Sequence, residues 1–161
     1  MVNAVKTRKP IATISFNSKS CLVNTLERLM KNKVIQFYCF IEHKPETDEK
    51  KNHIHLYVEP AKPIELMDFK ELFIEQFPGE DKPRKTLNWG NSVFYDWFFY
   101  SLHYAPYLVQ KQESRKYHYE LEDFVTGDDE ELLEKVRQNP FKKTDFNRVL
   151  ELIKVGLTDI E

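Results

Sequence analysis

Cysteine is scarce in this chain, with only Cys21 and Cys39 among 161 residues. Two thiols supply neither a disulfide framework nor a Cys-rich metal pattern. Cys39 lies inside an apolar run from Val34 to Ile41 and reads as a small buried hydrophobe. The sequence also lacks any apolar run of membrane-spanning length, and its first ten residues hold no apolar signal core. The expected setting is therefore a reducing cytoplasm with no membrane partner. A large charge of one sign is missing too: the net charge of -2 excludes a protein that coats nucleic acid by bulk electrostatics. Internal repeats and low-complexity tracts are absent.

What is present suits a folded domain. A hydrophobic fraction of 41% with 14% aromatics is enough for a core, and 161 residues fit one domain with a short appendix. Charge is distributed unevenly. Lys50-Lys51, Lys82 with Arg84-Lys85, and Lys111 with Arg115-Lys116 are basic clusters, whereas acids gather late, around Glu120–Asp123 and Asp128–Glu131. A bipolar chain of this kind can hold phosphate on one face, although any one cluster equally suits a solvated loop.

Hydrophobic periodicity orders the elements. Ile11 to Phe16 alternates as a strand, and a helical pattern through Leu22, Leu26 and Leu29 follows. Val34 to Ile41 reads as a central strand, and His53 to Val58 as another, closed by Pro60 and Pro63. Leu66, Phe69, Phe73 and Phe77 mark one face of a second helix. Lys85 to Trp89 suits a short strand. Ser92 is the expected N-cap of an aromatic helix running to Tyr104, and Lys116 to Tyr119 the expected last strand. Amphipathic segments near Asp129 to Arg137 and Asp145 to Lys154 end the chain. The order strand–helix–strand–strand–helix–strand predicts an α+β, ferredoxin-like fold, a central antiparallel β-sheet with its helices on one face.

Within that frame, His53 and His55 stand two apart on a strand and project from one face, opposite Ile54 and Leu56. Two adjacent imidazoles suit a divalent transition metal, though paired strand histidines are more often plain surface residues. The preceding loop adds His43 and Glu46. If the two strands pair as antiparallel neighbours, three histidines and one carboxylate surround one ion, an N/O set suited to Mn²⁺, with Mg²⁺ or Zn²⁺ as substitutes. Glu42 and Glu59 alternate away or lie further along, and Asp48 is a further carboxylate. Glu46 is the preferred fourth ligand.

The aromatic helix is ambiguous by itself. Helical spacing puts Tyr100 on a face with Trp97, His103 and Tyr104, and Asp96 lies one turn earlier. A phenol with a pKa near 10 is a poor nucleophile, which a nearby divalent ion can offset by polarising a phosphate. A helix this rich in aromatics is more often core. Tyr95, Tyr104 and Tyr107 compete with Tyr100, and periodicity does not choose among them.

Taken in order, these segments resemble the HUH-type replication initiators of rolling-circle plasmids that carry a single catalytic tyrosine. His43-Lys44-Pro45-Glu46 resembles the family's His-x-x-Asp loop, with Glu in place of Asp. Asn52 to Val58 resembles its His-hydrophobe-His strand, and Tyr100-Ser101-Leu102-His103 its Tyr-Leu-Thr-His motif. Gln112 to Tyr119, followed by Glu122-Asp123-Phe124, resembles the basic Lys-x-Tyr stretch and acidic segment beyond it. The resemblance covers about residues 8–126 and implies an HUH endonuclease domain there, with 127–161 as a short C-terminal helical extension. It implies Tyr100 as nucleophile, His103 in support, and a metal on His43, Glu46, His53 and His55. The implied activity is nicking and rejoining of single-stranded or stem-loop origin DNA in plasmid or phage replication, with host replication proteins as further partners. Lys82, Arg84, Lys85, Lys111, Arg115 and Lys116 are the expected DNA contacts. A conjugative relaxase, an HUH transposase and a non-catalytic DNA-binding module are the rival readings.

Overall fold

A computed structural model of the chain describes residues 6–44, 52–104 and 118–138, the side chains of 86–89 excepted. Its strands are β1 (Lys6–Thr7), β2 (Ile11–Ser15), β3 (Ile35–His43), β4 (His53–Pro60), β5 (Ile64–Glu65), β6 (Thr86–Asn91) and β7 (Phe124–Thr126). Its helices are α1 (Lys19–Lys31), α2 (Leu66–Glu71), α3 (Phe94–Leu102) and α4 (Asp129–Arg137), with a 3₁₀ turn at Leu121–Asp123. The main sheet has five antiparallel strands in the order β6-β2-β4-β3-β7, and β1 pairs with β5 beside it. Without β7 this is the split βαβ order expected of a ferredoxin-like α+β fold.

Helices cover both faces of the sheet, not one. Ile54, Leu56 and Val58 of β4 join Tyr38 and Phe40 of β3 in a first core under Leu22 and Leu26 of α1 and Phe69 of α2. The alternate residues, Tyr57 of β4 with Phe37, Cys39 and Ile41 of β3, join a second core with Phe94, Trp97 and Phe98 of α3 and Leu132 and Val136 of α4. A strand covered on both faces reads as a near-continuous apolar run, as β3 does, whereas the expectation of one covered face followed from the order of the elements. A register shift between Ile35 and Phe37 lets Ile35 face the first core and Phe37 the second.

Three elements depart from sequence expectation. Helix α2 ends at Glu71, well short of Phe77, because Glu75 is drawn into a backbone bridge with Arg84 and bonds the N-cap of α1. There the Glu75 carboxylate accepts from Ser18 N–H at 2.8 Å and from the Ser18 hydroxyl at 2.7 Å. The N-cap of α3 is Val93, not Ser92, and no side chain caps it. The last strand among the described residues is Phe124–Thr126, paired with Cys39–Ile41, and residues 118–120 lie outside any strand. No helix among the described residues is long and apolar enough to cross a membrane.

Candidate metal centre

The hairpin of β3 and β4 assembles the histidines. Its register sets His43 opposite His53, and Ile41 opposite His55, so the three imidazoles stand on the α3 face of the sheet. Ring centroids lie 5.3 Å apart for His43–His53, 4.3 Å for His43–His55 and 5.0 Å for His53–His55. One ring nitrogen from each lies within 4.8 Å of the others. Imidazole nitrogens that share one ion at bond lengths near 2.1 Å stand roughly 3 Å apart, so shifts of about 1 Å per ring would close the set.

The donor set suits a metal. His43 and His55 are buried and His53 is partly buried. Burial, then the neighbouring His43, His53 and His103, push the His55 pKa down to about 2. A neutral imidazole is the ligating form, which is how burial holds His55, and a set of three imidazoles suits a borderline divalent ion. The residues present therefore fit the group. Glu46 lies outside the described residues.

Packing also orients His43. Its Nε2 lies 2.6 Å from the carbonyl oxygen of Ser101 on α3. The Tyr119 ring stacks on it at 4.4 Å with only 4° between planes, and the Tyr119 hydroxyl accepts the Lys44 backbone N–H at 3.1 Å. His103 packs 4.6 Å from His43. It closes α3 in the left-handed region, at φ 65°, with its own N–H bonded to the Tyr100 carbonyl and the Tyr104 N–H to that of Phe99. This is the paired hydrogen-bond pattern of a Schellman cap, whose left-handed position usually holds glycine.

The tyrosines separate by environment. Tyr100 is 43% exposed, with its ring 5.7 Å from that of His55. Tyr95 donates its hydroxyl to the Lys135 carbonyl at 2.6 Å, and burial raises its pKa. Tyr104 is buried against His118. Tyr107 lies outside the described residues. Beside Tyr100, an open cleft of about 380 Å³ is lined by Ala12, Ile14, His55, Asp96 and Trp97.

No protein-family model and no curated protein matches this chain.

The basic residues are less convergent. Arg84 is engaged internally, with its guanidinium 2.6 Å from Glu80 and 3.6 Å above the Phe77 ring. Lys85 accepts the Phe16 N–H with its carbonyl, and the Phe16 ring is 6.5 Å from His53, so Lys85, just before β6, lies at the histidine end of the sheet. Lys82 is exposed. Lys111, Arg115 and Lys116 lie outside the described residues. Sequence reasoning missed Tyr119 and the Ser101 carbonyl, because their partners are distant in sequence and a backbone carbonyl carries no residue-type signal.

Proposed function

We propose that this chain nicks and rejoins single-stranded DNA by metal-assisted tyrosine transesterification, as an initiator of rolling-circle replication in a plasmid or phage. One observation carries the reading: an exposed phenol, Tyr100, stands beside three clustered imidazoles, two of them buried, on a helix whose other aromatic residues are mostly packed away. The family resemblance of the same residues is independent support.

In this mechanism the Tyr100 oxygen attacks the scissile phosphorus and gives up its proton. The bond from phosphorus to the 3′ oxygen breaks, and that oxygen leaves with the electron pair and takes up a proton. The products are a 5′-phosphotyrosine and a free 3′-hydroxyl, and attack by a later 3′-hydroxyl reverses the step. A divalent ion on His43, His53 and His55, with Glu46 as the proposed fourth ligand and Mn²⁺ favoured over Mg²⁺, would supply Lewis-acid polarisation of the phosphate. The cleft between α3 and β2 suits the nucleotide next to that phosphate, its base against Trp97 and Ile14. Lys82 and Lys85 are the proposed phosphate contacts among the described residues.

Incubation with single-stranded origin DNA and Mn²⁺ should yield a covalent adduct that EDTA or Tyr100→Phe abolishes. DNA binding without any metal-dependent adduct would instead mark a non-catalytic binding module. Cleavage confined to transfer-origin or transposon-end strands would mark a relaxase or a transposase.

A further inference from the structure

The surroundings of His43 define more than its position. A backbone carbonyl can only accept, so the 2.6 Å contact between His43 Nε2 and the Ser101 oxygen puts the imidazole proton on Nε2. Nδ1 is then the unprotonated nitrogen. Ser101 is the residue after Tyr100, so the carbonyl that holds a proposed metal ligand and the proposed nucleophile share one turn of α3. The other side of the arrangement is Tyr119. Its ring lies parallel on His43, its hydroxyl holds the Lys44 N–H at the start of the segment leading to Glu46, and its own N–H donates to the Leu102 carbonyl at 3.2 Å. Tyr119 thus touches the ligand, the loop and the end of the nucleophile helix.

We infer that Tyr119 and the Ser101 carbonyl form a clamp that presents His43 to the metal through Nδ1 and fixes the metal site to the turn carrying Tyr100. The inference rests on the reading that His43, His53 and His55 bind a divalent ion. Tyr119 is a positioning residue, acting through His43 and Lys44. Partners that orient a ligating histidine from outside typically contribute 10–100-fold to metal affinity. Tyr119→Leu removes both stack and hydroxyl, and Tyr119→Phe removes the hydroxyl alone.

The test is Mn²⁺ titration of the apo protein, followed by the electron paramagnetic resonance of the free ion, for wild type, both Tyr119 variants and His55→Ala. Nitrogen-15 spectra of the histidine rings in Zn²⁺-loaded wild type complete it. The clamp predicts about 10–100-fold weaker Mn²⁺ binding in folded Tyr119→Leu, a smaller loss in Tyr119→Phe, and His43 metallated at Nδ1 with its proton on Nε2. Tyr119→Leu with wild-type affinity overturns the clamp while leaving the metal reading intact, and so does metallation of His43 at Nε2. If Tyr119→Leu does not fold, the ring spectra of wild type still decide. A wild type that binds no more Mn²⁺ than His55→Ala removes the metal reading and the clamp with it.

Discussion

His55 and His103 are held in conditions that their residue type does not favour. Unfolded, an imidazole takes up a proton near pH 6.5, whereas folded His55 stays neutral down to about 2 because burial and His43, His53 and His103 oppose a charge there. Between those values the unfolded chain binds the extra proton, so acidification favours unfolding. The stability contributed by neutral His55 is complete above about pH 6.5 and is lost progressively as the pH falls. The melting temperature of the metal-free protein should therefore drop between about pH 7 and pH 5, with a flatter slope in His55→Leu. A melting temperature that holds steady or rises over that range would contradict this. His103 at φ 65° is a second case, since a left-handed conformation disfavours a side chain with a Cβ by about 1 kcal/mol or more. His103→Gly should keep or raise stability by up to about 1 kcal/mol in denaturant unfolding. A clear loss would mean that its contacts with His43 and Tyr119 outweigh the backbone cost.

Helix α4 shows how an element at the end of the described chain completes the second core. Leu132 and Val136 are buried beside Phe98 and Phe124, and Lys135 Nζ lies 2.6 Å from Glu59 of β4. Leu132→Ala should cost roughly 2–4 kcal/mol, read as a lower denaturant midpoint with an unchanged slope. A cost below about 0.5 kcal/mol would mean that α4 merely rests on the sheet. Elements of this kind also mark how far the sequence could be read. Period-two alternation was enough to place His53 and His55 on one face, and antiparallel pairing of the flanking strands brought His43 beside them. The second covered face was legible in β3, where both sets of alternate residues are apolar, but the order of the elements alone implies helices on one face. Lys116 to Tyr119 alternates as a strand does, yet the edge of the sheet is taken by Phe124–Thr126. Tyr119 meets Lys44 across 75 residues, and no local pattern announces a contact of that span.

For the whole molecule, the sheet divides the work between its faces. One face is core under α1 and α2, and the other runs from core under α3 and α4 into three imidazoles at the end of the β3–β4 hairpin. Helix α3 joins the two regions, burying Phe98 and Leu102 while leaving Tyr100 exposed. A net charge of -2 gives little general attraction for DNA, so binding should depend on the local site and on strand sequence. The most direct measurement of the central claim is mass-spectrometric mapping of the residue that becomes linked to a single-stranded origin oligonucleotide in Mn²⁺. One 5′-phosphotyrosine is expected, at Tyr100, absent with EDTA and in His55→Ala. Linkage at Tyr104 or Tyr107, or linkage that persists without metal, would contradict it.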